Sequence, residues 1–485
     1  MKFEDYIRHD ASALAGLVRR GAVTAEELEA TALDAATRLN PLLNAIIETW
    51  PGDHDLELER TAPFAGVPFL IKDIVIQRAG RRQELGSRIA VGNTATANSY
   101  LMDRFDRLGL VTLGRTTTPE FGHGPTTEPV QGGPTCNPWD LTRMAGGSSG
   151  GAGASVAAGI VPIAHGNDGA GSIRIPAACC GLIGLKPSRG RVSSGPGGGE
   201  TLFGMGVELA LTRSVRDTAI ALDGASMPIP GDPMVILQPS APYAVLAETR
   251  PGRLRIGYTT TPWYDAPTDP EIIRAVEQAA ALCRDLGHEV VEASPAFDYA
   301  KMRSACLTLW AAGMSHWGQQ LAAKMGRPLS DAYLEAATLA MVRYGSSLSS
   351  ADLLAALENS NAVTRAVGGF FERYDLLLTP STAKVAQPLG TYDQNAPVTN
   401  HEDWFDRKAR FPPFLAVFNV TGQPAISLPT AMSESGLPIG VQFAARFGRE
   451  DLLLQLARQL EEAIPWADAL TKNQLRLWAQ ATAVS

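Results

Sequence analysis

The sequence has few cysteines and few charges, and it lacks a long apolar run. Its 485 residues include five cysteines, an odd number in which only Cys179 and Cys180 are neighbours, so we predict free thiols. No C-x-x-C pair and no H-x-x-x-H spacing occurs, and we therefore expect no metal and no cofactor. No stretch approaches the roughly 18 apolar residues of a membrane span.

The charge balance limits the partners. The chain has 42 basic and 50 acidic residues, a formal charge of -8, which does not favour nucleic acid. The N-terminus has no apolar segment typical of an export signal, so we expect a cytoplasmic protein without membrane contact. Hydrophobic residues make up 45% of the chain, which predicts a soluble globular protein built as one compact unit. The sequence is compatible with a homodimer.

A glycine- and serine-rich stretch over residues 146–186 contains two glycine-flanked serines, Ser148 and Ser172. Such stretches are often only loops or linkers. Here the apolar run 160–164 predicts one buried strand between the two loops, so both serines can meet in space. Ser148 also fits the G-x-S-x-G turn of α/β-hydrolase esterases, although residues 141–145 before it form no apolar strand.

Lys72 lies within an apolar segment. A strand over 67–76 would carry Leu70, Lys72, Ile74 and Ile76 on one face. The lysine side chain would then either extend to water or, if buried, lose its proton. A neutral lysine can act as the base that a serine nucleophile needs, and activity would then rise with pH.

Together these segments resemble the amidase signature family of serine hydrolases over nearly the whole chain. The resemblance implies a Ser-cisSer-Lys set in which Ser172 is the nucleophile, Ser148 the bridging serine after a cis peptide bond, and Lys72 the base. The matching segments are GVPFLIKDIVI (66–76), GRTTTPEFG (114–122), NPWD (137–140), GGSSGG (146–151), GNDGAGSIRIPA (166–177), GLKPSRGRVS (184–193), TRSVRDTA (212–219), FNVTGQPAISLP (418–429) and GLPIGVQF (436–443).

The resemblance also implies a fold and an oxyanion hole. The fold would be α/β, a single compact domain with a large twisted mixed β-sheet flanked by helices. Backbone N–H groups of Gly169, Ala170 and Gly171, with that of Ser172, would bind the oxyanion. Many relatives have Thr-Gly-Gly where this chain has Gly169-Ala170-Gly171. We interpret Arg174 as structural, pairing with Asp168.

The predicted substrate is a small-molecule amide or carbamate, with esters and cyclic amides as further candidates. Cys306, Trp310 and Met314 share one helix face, which indicates either core packing or an apolar pocket wall. We assign Phe121, Gly122, Cys306 and Trp310 to substrate binding. With no cation beside the nucleophile loop except Arg174, an apolar linear or cyclic acyl group is favoured.

The chain divides into regions within one domain, 1–485. The predicted order is an N-terminal helical wrap (1–65), a catalytic core (66–215), an added lobe (250–345) and a C-terminal part of the sheet (370–463). Helices are expected over 10–39, split near Gly21 with Thr24 as a cap, and over 100–108, 268–286 and 449–462. Strands are expected over 110–114, 374–380 and 423–429, in a largely parallel sheet, and the loop 190–206 is either a lid or a passive surface loop.

Two other functions share some of these sequence features. A tRNA-dependent amidotransferase A-type subunit would share the same three residues, but such subunits typically have Gln where this chain has Ile175. A nucleotide-binding protein is disfavoured because no G-x-x-x-x-G-K-[ST] run occurs.

Overall fold

The computed structural model describes residues 1–55 and 60–483, and within them the strands form one sheet of eleven. The strand order is β1-β3-β2-β4-β6-β5-β10-β11-β9-β7-β8. The strands are β1 Ile46–Thr49, β2 Val67–Lys72, β3 Leu110–Thr116, β4 Ile163–Asp168, β5 Ile183–Lys186, β6 Val207–Thr212, β7 Arg255–Tyr258, β8 Glu289–Glu292, β9 Leu376–Pro380, β10 Ala425–Met432 and β11 Pro438–Ala445.

Helices cover the sheet, and the α/β fold predicted from the resemblance is confirmed. The helices are α1 Phe3–Tyr6, α2 Ala11–Arg19, α3 Ala25–Leu43, α4 Tyr100–Arg107, α5 Gly150–Ala157, α6 Arg174–Cys180, α7 Val215–Ala225, α8 Tyr243–Ala247, α9 Pro270–Asp285, α10 Tyr299–Met325, α11 Ala336–Ser347, α12 Ser350–Phe370, α13 His401–Ala409, α14 Val417–Thr421, α15 Glu450–Ala463 and α16 Trp466–Ala483.

The sheet is mixed, and the expectation of a largely parallel sheet holds only toward its two ends. Strand β2 pairs in parallel with β3 and β4, and β7 pairs in parallel with β8 and β9. Between these ends, β4, β6, β5, β10, β11 and β9 are antiparallel neighbours. The central strands are buried on both faces, so their sequences are apolar runs that do not show direction.

Local signals in the sequence place several helix ends. Thr24 Oγ1 accepts the N–H of Glu27 while Glu27 accepts the N–H of Thr24, a capping box that begins α3. Pro270 stands at the first turn of α9, where its missing N–H costs nothing. The helix predicted over 268–286 is confirmed as α9, which lies between strands β7 and β8 in the chain.

Two predicted strands have different bounds. Strand β2 ends at Lys72, so Ile74 and Ile76 do not continue its face, because the chain turns at Val75 with a φ of 72°. Strand β4 begins only at Ile163, since Gly159 ends α5 with a φ of 81° and Ile160 still hydrogen-bonds back to that helix.

All five cysteines are free thiols, as predicted. None of the helices in residues 1–55 and 60–483 combines the length and apolar character that crossing a membrane requires. The proposed division of the chain into a wrap, a core, an added lobe and a C-terminal part stays a prediction.

The topology gathers reactive residues at one edge of the sheet. Because β2 and β4 are parallel neighbours, Lys72 at the end of β2 and Asn167 near the end of β4 lie at the same edge. Helix α5 begins directly after Ser148 and Ser149, and α6 begins directly after the loop that contains Ser172.

Candidate active site

Lys72 is completely buried, and its amine contacts three oxygens. Nζ lies 2.7 Å from Ser148 Oγ, 2.9 Å from Ser149 Oγ and 2.6 Å from Asn167 Oδ1. Burial lowers the pKa of Lys72 well below its usual range, although the charge of Asp168 opposes the shift. The amine is therefore poised to be neutral.

The surrounding hydrogen bonds determine which way a neutral amine faces. Asn167 Nδ2 donates to the carbonyl of Ile74 at 3.2 Å, which leaves Asn167 Oδ1 as an acceptor for the amine. Ser149 Oγ donates to the carbonyl of Asn167 at 3.2 Å, so it too accepts from Lys72. A neutral amine has two N–H groups and one lone pair. With both N–H groups used, the lone pair faces the Ser148 hydroxyl.

Ser148 follows a cis peptide bond from Gly147, as the resemblance implies. Its side chain is buried, and a Cβ at Gly147 would lie 2.3 Å from the carbonyl oxygen of Thr126, so only glycine fits there. Gly122, with a φ of 64°, also approaches closely, since a Cβ on it would lie 3.2 Å from Ser148 Oγ. Glycines thus let two loops close around the Ser148 hydroxyl.

Ser172 is the accessible member of the set. It is 6% exposed, against 1% for Ser148 and 0% for Lys72. Its carbonyl accepts the N–H of Ser149 at 3.3 Å, which ties the two serine loops together. Ser148 and Ser172 face one cavity, and across the described residues no direct hydrogen bond joins their hydroxyls.

The loop before Ser172 is held by Asp168 and Arg174. Arg174 Nε donates to Asp168 Oδ2 and Nη2 donates to Oδ1, both at 2.9 Å, and both side chains are completely buried. Burial alone would raise the pKa of Asp168, but the Arg174 guanidinium holds that pKa well below its usual range. The structural role predicted for Arg174 agrees with these contacts.

One predicted oxyanion donor is engaged elsewhere. The N–H of Gly171 donates to Asp168 Oδ1 at 2.6 Å, so in this arrangement it does not point to an oxyanion. The reason is that Asp168 turns back under its own loop, a contact between close neighbours that sequence does not reveal. Gly169, Ala170 and Ser172 remain the candidates.

An apolar cavity opens beside Ser172, between the nucleophile loop and helices α10 and α13. Of the predicted binding residues, Gly122, Cys306 and Trp310 line it, and Phe121 lines an adjoining cavity that reaches Ser148. Met314, on the same helix face, is core. The residues around the first cavity are Gly122, His123, Gly124, Pro125, Ala170, Ser172, Ile175, Tyr299, Met302, Cys306, Trp310, Phe405, Lys408, Ala409, Pro412, Pro413 and Ala416.

Sequence reasoning missed Lys408 in this wall. Its Nζ lies 4.8 Å from the centre of the Trp310 ring and 5.4 Å from that of Phe405. Burial lowers the pKa of Lys408 to about 7. The expectation that no cation other than Arg174 lies near the nucleophile loop is therefore wrong. Helix α13 is strongly charged, and nothing in its sequence distinguishes this lysine from an exposed one.

His123 also lines the cavity, stacked on Trp310 with ring centres 5.9 Å apart. Burial lowers its pKa well below the usual range, and the nearby charge of Lys408 adds to this. Both of its ring nitrogens are buried and lack a hydrogen-bond partner among the described residues.

The loop 190–206 covers the adjoining cavity. Thr201 and Leu202 line it, and Leu202 packs toward Gly169 and Gly313. Its role as a lid stays a prediction.

Known proteins resemble this chain over almost its full length. The family model described as Amidase matches residues 27–454. A 6-aminohexanoate-cyclic-dimer hydrolase from Pseudomonas sp. (strain NK87) is 39% identical over 94% of this chain and 95% of its own length. A solved structure of 6-aminohexanoate cyclic dimer hydrolase complexed with substrate has a TM-score of 0.89 and 37% identity, covering 95% of this chain and 98% of that one.

A bacterial aryl acylamidase structure has a TM-score of 0.83 and 27% identity, covering 96% of this chain and 98% of its own. That protein is itself described as an amidase signature enzyme. The chain therefore belongs to the amidase signature family of hydrolases, which act on carbon–nitrogen bonds.

Proposed function

We propose that this enzyme hydrolyses amides through a covalent acyl intermediate on Ser172, with Ser148 relaying protons to and from Lys72. The observation that carries the proposal is the 2.7 Å contact between Ser148 Oγ and the amine of a completely buried lysine. A serine hydroxyl near pH 7 needs such a base, and a neutral lysine can supply it.

The first half of the reaction forms the acyl-enzyme. Ser172 Oγ attacks the amide carbon, its proton passes to Ser148 Oγ, and the Ser148 proton passes to Lys72 Nζ. The N–H groups of Gly169, Ala170 and Ser172 are candidates to stabilise the oxyanion, and one such donor is typically worth about 3 kcal/mol. The C–N bond then breaks as the relay returns the proton to the leaving nitrogen.

The second half repeats the relay with water. A water molecule attacks the acyl carbon, and its proton follows the same path to Lys72. The bond to Ser172 Oγ breaks, Ser172 recovers its proton through Ser148, and the carboxylic acid leaves. Ser149 and Asn167 act in both halves as positioning residues, because they hold the two N–H groups of the neutral amine.

The preferred substrate is an amide with an apolar linear or cyclic acyl portion. The cavity beside Ser172 is walled by Met302, Cys306, Trp310 and Phe405, and each methylene buried there contributes about 0.8 kcal/mol. The cyclic amide named for the relatives fits this description. Carbamates and esters present the same acyl carbon to Ser172 and are further candidates.

The test compares three enzymes on one substrate panel. The panel contains aryl amides, cyclic and linear ω-amino-acid oligomers, carbamates and esters, scored by released amine or alcohol. We expect Ser172→Ala to abolish hydrolysis and Ser148→Ala to lower it by orders of magnitude, because the two act as one unit. Intact-protein mass spectrometry with a slow substrate should show an acyl adduct on the peptide that contains Ser172.

Ser155→Ala is the matched control, since Ser155 is buried in α5 and, among the described residues, its hydroxyl donates to the carbonyl of Gly151 and makes no other hydrogen bond. It should retain activity. Near-parental turnover by Ser172→Ala together with an inactive Ser148→Ala would instead make Ser148 the nucleophile, as in α/β-hydrolase esterases.

A further inference from the structure

The cavity beside Ser172 contains an unpaired amine. In the part of the chain that the structure describes, no carboxylate lies within 4.0 Å of Lys408 Nζ, and its amine makes no hydrogen bond. The acidic residues on the same helix have other partners. Asp406 accepts from Arg303 at 2.7 Å, Glu402 lies 3.4 Å from Arg303, and Asp403 accepts the N–H of Thr399.

Two neighbours of Lys408 also have nitrogen atoms without a hydrogen-bond partner among the described residues. Trp310 Nε1 and both ring nitrogens of His123 are buried without a hydrogen-bond partner among the described residues. His123 stacks on Trp310, and Lys408 Nζ lies 4.8 Å from the centre of the Trp310 ring, so the three side chains are neighbours in one wall of the cavity. Buried polar groups in proteins nearly always find partners. Two buried side chains without partners, beside a half-buried amine that makes no hydrogen bond among the described residues, therefore point to a ligand that supplies the acceptor.

The other residues that line the cavity indicate what kind of substrate would bear that acceptor. The same cavity is also lined by Ala170, Met302 and Cys306, which offer only apolar contacts or a weak thiol. An acceptor bound by the amine would therefore be carried on an otherwise apolar substrate. An oxygen atom attached beyond a short hydrocarbon chain meets both requirements.

We propose that Lys408, with Trp310 and His123, forms a subsite for an acceptor oxygen, a carbonyl or carboxylate, carried beyond an apolar spacer from the scissile amide. This inference rests on the proposed function, since it assigns the far end of the same substrate. The substrate class becomes amides with a second carbonyl or carboxylate. A substrate that ends in an ammonium group would instead place two cations together.

The experiment uses a matched series of anilides with a six-carbon acyl chain ending in methyl, N-methylamide, carboxylate or ammonium. Lys408→Met keeps the length and packing of the side chain and removes the amine. We expect kcat/KM for the amide- and carboxylate-ended substrates to fall by about tenfold or more, the scale of a hydrogen bond from a charged donor. The methyl-ended substrate should change by less than about threefold, and the ammonium-ended one should improve.

Lys472→Met, on an exposed face of α16, is the control and should leave the whole series unchanged. Trp310→Phe removes only one donor from the same wall and should reduce the preference for acceptor-ended substrates more weakly. It supplies the test should Lys408→Met not fold, as judged by circular dichroism and Tm.

Equal losses across the series, or no change in end-group preference, would overturn the subsite. Ser172→Ala tests the proposed function separately from the subsite. It should abolish hydrolysis of the methyl-ended substrate, and that loss depends on the nucleophile and not on Lys408. If kcat/KM of Lys408→Met falls only for the carboxylate-ended substrate, the subsite binds a carboxylate. If it falls for the amide- and the carboxylate-ended substrates, the subsite binds any acceptor oxygen.

Discussion

Lys72 Nζ lies 2.6 Å from Asn167 Oδ1, and the two residues stand at the same ends of adjacent parallel strands. The base is therefore positioned by the sheet itself and not by a mobile loop. Its depth in the sheet also removes water from the amine, which lowers its pKa. One topological feature thus fixes both the place and the protonation state of the proposed base.

The pH dependence of hydrolysis should reflect Lys72. The amine must be neutral to accept a proton, and it is protonated below its pKa, so kcat/KM should rise with pH through that pKa and then level off. Because burial lowers the pKa of Lys72, the increase in kcat/KM should occur at a pH well below 10.5, the usual pKa of a lysine. The measurement is a profile of kcat/KM for an anilide against pH, which reports groups of the free enzyme.

Lys72→Arg should be nearly inactive at every pH, since a guanidinium stays protonated. Lys472→Arg on the exposed face of α16 should keep the parental profile. A flat profile measured where chemistry limits the rate would argue against lysine as the base.

Ser149→Ala should lower kcat without raising KM. Ser149 Oγ accepts one N–H of Lys72 at 2.9 Å, and without it the amine can rotate its lone pair away from Ser148. We expect kcat to fall by about tenfold, a part of the roughly 10²–10⁴-fold that a positioned general base contributes. Because an acceptor stabilises the ammonium more than the amine, the acid limb should also move to lower pH.

The control is again Ser155→Ala, which removes a buried hydroxyl of the same helix without touching Lys72. An effect on KM alone, with the pH profile unmoved, would mean that Ser149 only shapes the substrate site.

The motifs predicted much of this arrangement because they are local. Glycines that permit close approach, a capping residue and an apolar run are each recognisable within a few residues, so the serine loops, α3 and several strands could be predicted. The sequence around Lys408 gives no such local signal. Lys408 lies in a helix as charged as any surface helix, and only its packing on Trp310, distant in sequence, brings it to the cavity.

Two other differences between prediction and structure concern the end of strand β2 and the N–H of Gly171. Strand β2 ends at Lys72 because Val75 adopts a φ of 72°, a conformation that β-branched residues seldom show and that no composition rule predicts. The N–H of Gly171 is used by Asp168 because that carboxylate is held in place by Arg174. Neither a backbone turn at one residue nor a carboxylate that binds its own loop can be recognised from composition or spacing.

Arg174→Met should destabilise the protein strongly. Arg174 is completely buried, and its removal leaves the Asp168 carboxylate without its guanidinium partner. Breaking one side of a buried pair typically costs about 3–5 kcal/mol. We expect Tm to fall by several degrees and activity to be lost, since Asp168 also holds the loop before Ser172.

Arg38→Met provides the comparison. Arg38 pairs with Asp34 on the surface, with 40% and 50% of the two side chains exposed. Such exposed pairs contribute no more than about 1 kcal/mol. Equal Tm losses in the two variants would show that Arg174 does not brace the loop.

Gly169→Ala tests how closely the nucleophile loop and the cavity wall are packed. A Cβ at this position would lie 2.8 Å from Trp310 Cζ3 and 3.1 Å from Leu202 Cδ1, so the tryptophan would have to move. The backbone conformation itself suits alanine, and the effect is therefore one of space. We expect kcat/KM for long-chain anilides to fall by about tenfold.

Trp310→Phe removes the outer ring atoms that clash with the new methyl group. Gly169→Ala added to Trp310→Phe should therefore cost much less activity than it does in the parent, a positive coupling in a double-mutant cycle. Gly368→Ala, where a Cβ meets nothing within 4 Å, should leave activity unchanged. Losses that simply add would mean that Gly169 and Trp310 do not constrain each other.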